Sequence, residues 1–143
     1  MSEFTNLDLI ERARTVLRPR NLAYENTAGG IGCALLSSEG NLYFGVSIEI
    51  GSGIGFCAEH SAMAAMITAG ESRIAKIVAV STDSKIVPPC GRCREFMFQI
   101  DTANLQSTVV ILGPGRVAKL EALLPHPYME VWDAKLRGGP RAE

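Results

Sequence analysis

Two short segments far apart in the chain limit how it can fold: Cys57-Ala58-Glu59 and Pro89-Cys90-Gly91-Arg92-Cys93. Cys90 and Cys93 are three residues apart, and on a helix that spacing puts both side chains on one face with Cβ atoms about 5–6 Å apart. Two thiolates so placed suit one zinc ion, whose bonds to sulfur are about 2.3 Å. A third ligand, Cys57, has to arrive from a second element, so two helix starts must converge. Three protein ligands leave one tetrahedral position open, which marks a zinc that takes part in chemistry rather than one that only staples a fold. Both segments begin predicted helices, where the macrodipole and first-turn N–H groups favour negative charge. That placement offsets the weakened Lewis acidity that three thiolate donors impose. Arg92 and Arg94 are candidates for further positive charge near the sulfurs. Glu59, in the first turn after Cys57, can reach the same pocket and carry protons there.

The rest of the chain must supply a scaffold that brings those helix starts together. At 143 residues, 47% of them apolar and 20% charged, it is long enough to bury one continuous core and fits a single domain over residues 1–137, with a disordered tail at 138–143. No apolar run reaches the length of a bilayer span. Glu3, Asp8 and Glu11 interrupt the N-terminal apolar residues, unlike the basic start and apolar block of a secretory signal. A cytoplasmic protein is therefore expected, and there four cysteines point to metal or catalysis rather than disulfides. The formal net charge is −1 and no cluster of lysines or arginines is present, so a nucleic acid polymer is a poor partner and a small molecule a good one.

Periodicity and punctuation predict the elements. Thr5 to Leu17 reads as an amphipathic helix, with Thr5 and Asp8 spaced as a capping pair and Pro19 beyond its end. A loop is expected through Asn26, Gly29 and Gly30. Ile31–Leu36 and Leu42–Ile50 read as strands joined by the turn Ser-Ser-Glu-Gly-Asn. Gly51 to Gly55 reads as a flexible connection able to approach a ligand closely. Cys57–Ala69 is predicted to be a helix, apolar almost all round and so buried on more than one side. Ile74–Val80 is a predicted strand, Cys90–Ile100 a helix, Thr108–Leu112 a strand and Val117–Leu124 a short helix stopped by Pro125 and Pro127. Strands alternating with helices predict a three-layer α/β/α sandwich, and the opening hairpin makes its sheet of about five strands mixed.

The paired cysteine motifs with a nearby glutamate match the zinc nucleobase deaminases, whose glutamate is not a metal ligand. More closely, the chain resembles the small nucleoside cytidine deaminases and the blasticidin S deaminases. Ile31-Gly-Cys-Ala-Leu-Leu, Gly45-Val-Ser-Ile-Glu, Cys57-Ala-Glu, Pro89-Cys-Gly-Arg-Cys-Arg-Glu and Leu123-Leu-Pro fall in family order, from before Ile31 to Tyr128. The resemblance implies zinc held by Cys57, Cys90 and Cys93, with Glu59 as proton shuttle in a hydrolytic deamination of a cytosine-type nucleoside. It implies Ser47 and Glu49 at the sugar hydroxyls, Ala58 among the substrate-binding residues and the Pro88 carbonyl facing the departing amine. It also implies Tyr128 closing the pocket, in some members across a subunit boundary, and a homotetramer. The chain departs from the family pattern at four places. Ser47 replaces an asparagine, His60 replaces an arginine that bonds the zinc thiolates, and the Gly51–Phe56 connection is a residue shorter. Gly29 replaces a phenylalanine that packs on the nucleoside, which predicts empty space there.

Each signal has a plainer reading. The cysteines alone could be core thiols. A structural four-cysteine zinc site would recruit Cys33, although Cys33 lies in a predicted core strand and Glu59 would then have no task. Glu49 could be a solvated strand-end charge, Ser47 an ordinary strand serine, His60 a satisfied buried histidine, and Tyr128 with Trp132 a packing contact. Three other functions compete with the nucleoside hydrolase: a blasticidin S-type or other nucleobase-analogue deaminase, a zinc-stabilised nucleoside-binding protein without catalysis, and an editing role on nucleic acid.

Overall fold

The computed structural model describes residues 4–133. The predicted tail at 138–143 and the end of the expected 1–137 domain lie outside the described residues. Helix α1, Asn6–Thr15, opens as its capping signal predicts: the Thr5 N–H donates to Asp8 Oδ2 at 2.9 Å, and the Asp8 N–H donates to Thr5 Oγ1 at 3.0 Å. Its Leu9, Ile10 and Ala13 are buried on one stripe.

Six strands form one sheet: β1 (Arg20–Asn21), β2 (Thr27–Ser37), β3 (Leu42–Glu49), β4 (Ile74–Ser81), β5 (Val109–Gly113) and β6 (Arg116–Lys119). Their order is β3-β2-β4-β5-β6, and β1 pairs with Thr27 and Ala28 at the start of β2. The β4–β5 pair is parallel and every other pair antiparallel, so the sheet is mixed. Helices α2 (Ala58–Thr68) and α3 (Gly91–Ile100) and the single turns α4 (Asn104–Ser107) and α5 (Leu120–Leu123) are the other α-helical segments among the described residues. One core cluster joins α2 and α3 to the sheet through Cys33, Leu35, Met63, Met66, Ile77, Met97 and Val110. A second joins α1 to the opposite face through Ala34, Val78, Val80 and Ile111. Alternate residues of β2, β4 and β5 thus feed opposite cores, which is the three-layer α/β/α arrangement.

Three local expectations are corrected. The loop expected through Asn26, Gly29 and Gly30 is largely strand: Arg20–Asn21 lies against Ala28 and Thr27, and β2 begins at Thr27, so the expected sheet of about five strands has six. Val117–Leu124 is not one helix. The Gly113–Gly115 turn folds the chain back so that Val117 and Ala118 pair with Ile111 and Val110, and only Leu120–Leu123 is helical. Edge pairing there outweighs the local helix preference of alanine, lysine and leucine. Finally, α2 is not buried on more than one side within one chain: Ala58, Glu59, Ala62, Met63 and Met66 are buried along one face, while Ala64, Ala65 and Ile67 are exposed.

Candidate active site

The loop before α2 and the Pro88–Pro89 segment before α3 bring the two helix starts together. Cys57 is the N-cap residue of α2 and Cys90 that of α3, both with extended backbone, while Cys93 sits one turn into α3 and is fully buried. Cys57 Sγ and Cys90 Sγ are 3.3 Å apart, and the three sulfurs lie within 4.8 Å of one another. Sulfurs bound tetrahedrally to one zinc are about 3.8 Å apart given bonds of about 2.3 Å, a spacing inside that range. The cluster therefore fits the ion. Cys33 is not part of it: its thiol is buried in β2, so the four-cysteine alternative has no geometry here.

Without metal, the thiols are unevenly disposed to ionise. Burial pushes Cys57 up to about 11, with the Cys90 thiol adding to the effect. Burial also drives Cys93 far above the ordinary thiol range, followed by the charge of Glu59. Burial acts on Cys90 as well, but hydrogen bonds from the Cys93 backbone and from both neighbouring thiols outweigh it and hold Cys90 below the usual value.

A cavity of about 560 Å³ opens beside the sulfurs, lined by Cys57, Ala58, Glu59 and Cys90 and walled by Ile31, Ile48, Phe56 and Val87. Glu59 is 5% exposed, and burial raises its carboxyl above the ordinary carboxylate range against the pull of its own backbone N–H. A carboxyl so placed is suited to both accept and return a proton. The same cavity receives Ser47, Glu49 and Pro88. Ser47 is 7% exposed and its Oγ accepts the Ile31 N–H at 2.9 Å, where the β2–β3 register shifts. Its own O–H is left to donate. Glu49 is exposed and accepts a hydrogen bond from Thr27 Oγ1 at 3.4 Å. Tyr128 is elsewhere: 69% exposed, it stacks near Trp132 at 5.8 Å between ring centroids and gives its N–H to Glu95. It does not line the cavity of its own chain.

The sequence did not reveal what surrounds these groups. Arg92 donates to the Gly55 carbonyl at 3.2 Å, and Arg94 to those of Pro89 at 2.8 Å and Leu123 at 3.0 Å. Both guanidiniums thus brace the backbone on either side of the cysteines. His60 is held between the rings of Phe96, at 4.1 Å, and Phe56, at 5.4 Å. Burial and then the Arg92 charge lower its pKa, and its Nδ1 is buried with no hydrogen-bond partner among the described residues. The Gly51–Gly55 connection lines the cavity as expected, but its far end is pinned: Ile48 and Phe56 exchange backbone hydrogen bonds at 3.0 and 2.9 Å. The space expected at Gly29 is filled. A Cβ there would lie 2.1 Å from the Arg18 carbonyl oxygen, and the residue has φ +83°. The apolar walls had a signal in the sequence, since Phe56 immediately precedes the first motif and Val87 lies two residues before the second.

Known proteins share this arrangement. The family described as "Cytidine and deoxycytidylate deaminase zinc-binding region" matches residues 8–109, which is most of the chain and includes the complete thiol and glutamate set. The chain belongs to that family. The cytidine deaminase of Halalkalibacterium halodurans is 36% identical over 84 residues, 58% of this chain and 61% of its own, so the match spans less than two thirds of that relative. The blasticidin-S deaminase of Bacillus cereus is 28% identical over 134 residues, 86% of this chain and 91% of its own. Among solved structures, the cytidine deaminase of Mycobacterium tuberculosis superposes with a TM-score of 0.71 at 25% identity, covering 87% of this chain and 98% of that one.

Proposed function

We propose that this protein is a zinc-dependent hydrolase that replaces the exocyclic amine of a cytosine-type nucleoside with a carbonyl and releases ammonia. The observation that carries this reading is Glu59: a carboxyl 5% exposed, in one cavity with a three-thiol cluster that fits zinc. Held by Cys57, Cys90 and Cys93, zinc supplies a Lewis acid that makes water nucleophilic near neutral pH. Glu59 takes a proton from the attacking water and delivers it to the ring nitrogen next to the reacting carbon; it then takes the second proton, from the hydroxyl now on that carbon, and passes it to the amine, which leaves as ammonia while the carbonyl forms. The Pro88 carbonyl accepts a hydrogen bond from that amine. The Ala58 N–H, at the first position of α2 and outside the intrahelical ladder, donates to the ring oxygen. Ser47 donates to a sugar hydroxyl and Glu49 accepts from one. A protein that only binds nucleosides would have no use for a buried carboxyl aimed at the metal side of the cavity. The formal charge of −1 supports a free small molecule over a nucleic acid polymer.

The proposal extends to the assembly. Ala64, Ala65 and Ile67 on α2, with Tyr128, Met129, Val131 and Trp132, form exposed apolar surface that a homotetramer would cover. In it, Tyr128 would close a neighbour's cavity. No helix among the described residues is long and apolar enough to cross a membrane, which agrees with the cytoplasmic protein that four free thiols suggest.

Ammonia release from cytidine, deoxycytidine, blasticidin S, cytosine and guanine-type bases tests the reaction. We expect turnover of at least one cytosine-type compound. Silence across the panel with zinc-loaded protein would overturn the reading. The extent of the match to the Bacillus cereus protein favours including blasticidin S as a full alternative rather than a control.

A further inference from the structure

A second cavity, of about 390 Å³, adjoins the first at Glu49, which lines both. Its other walls are Pro19, Arg20, Asn21, Thr27, Ala28 and Gly30. It exists because the chain before β2 doubles back: Arg20 and Asn21 pair with Ala28 and Thr27, and the Arg18 N–H donates to the Gly29 carbonyl at 3.1 Å. The backbone of Arg18 therefore sits where a side chain at Gly29 would otherwise project. The charged residues of this second chamber are Glu49 and Arg20 alone. Arg20 is exposed and makes no ion pair among the described residues, so its guanidinium is available to a ligand.

We propose that this chamber is a specificity subsite for an anionic group on the substrate, a carboxylate or a phosphate carried beyond the ring that bears the cytosine. The inference rests on the reading of the first cavity as the deamination site. The base lies beside the thiols and Glu59, a hydroxyl on the attached ring faces Glu49, and the anion lies past it against Arg20. Asn21, which also lines the chamber, offers an amide donor to that group, whereas the Thr27 hydroxyl is already given to Glu49. A guanidinium suits either anion, since its planar donors match both carboxylate and phosphate oxygens.

The test compares kcat/KM by ammonia release for cytidine, its 5′-carboxylate analogue, cytidine 5′-monophosphate and cytidine 3′-monophosphate. The wild-type zinc enzyme, Arg20→Ala, Arg20→Lys and Arg12→Ala are each assayed; Arg12 lies over the Phe4 ring, outside both cavities. At least one anionic compound should exceed cytidine by about fivefold, the strength of a partly solvated charge pair. That ratio should fall to about one in Arg20→Ala, survive in part in Arg20→Lys, persist in Arg12→Ala and shrink with added salt. Cytidine deaminated as well as or better than every anionic derivative, or a preference that survives Arg20→Ala, would overturn the subsite while leaving the deaminase reading intact. Inactivity on all four compounds together with the wider panel would instead remove the reading on which the subsite depends.

Discussion

Ser47 shows how one residue serves both fold and site. Its buried Oγ accepts the Ile31 N–H where the strand register shifts, so the hydroxyl satisfies backbone that the irregularity leaves over. Ser47→Ala removes that acceptor from a largely buried position. We expect it to lower the unfolding free energy by about 1–3 kcal/mol in urea titrations, the cost of an unpaired buried amide. Under the proposed function the same substitution should raise KM for a nucleoside more than it lowers kcat, because that reading puts Ser47 at the sugar and Glu59 at the reacting carbon. The cysteines and Glu59 were legible at this scale because their chemistry depends on residue type and spacing. The roles of Arg92 and Arg94 were not. Sequence suggested charge near sulfur, whereas their donors reach the carbonyls of Gly55, Pro89 and Leu123, which only the folded backbone brings within range.

At the scale of elements, the site depends on how closely β3 approaches α2. A Cβ on Gly45 would lie 2.3 Å from the Ala62 nitrogen, 2.4 Å from the Ala58 carbonyl and 2.6 Å from Ser61 Cβ. Gly45→Ala must push the strand off the helix start that carries Cys57 and Glu59. The expected cost is about 1–3 kcal/mol of stability, as for other overpacking changes, and zinc should be lost faster to a competing chelator. Wild-type zinc retention in that variant would show that the contact is not what seats the helix. Helices and strands with strong periodicity or capping were legible, α1 and the β2–β3 hairpin among them. What escaped was decided by non-local pairing: β1 and β6 are edge strands recognisable only from the partners they lie against. Asn104 escaped for the same reason. Fully buried, it accepts the Ile74 N–H at 2.8 Å and donates to the Ser72 and Met97 carbonyls, tying α3 to β4 with a residue whose type suggests only a turn.

For the whole molecule, metal, protons and stability are linked. Cys57, pushed up to about 11, and Cys93, higher still, are protonated in metal-free protein at neutral pH, so zinc must displace their protons. Apparent zinc affinity should therefore rise with pH, about tenfold per unit for each proton released, in chelator competition between pH 6 and 8. The three sulfurs are brought together only by the fold, so zinc should favour the folded chain: chelation should lower the melting temperature and added zinc restore it. The most direct test of the account compares zinc-loaded wild type with Glu59→Gln on a cytosine-type substrate that the panel identifies, with metal content measured on both. Equal zinc is expected in the two proteins, with kcat reduced by about 10²–10⁴ in the variant, the usual worth of a positioned proton carrier. Equal zinc with undiminished turnover in Glu59→Gln would contradict it.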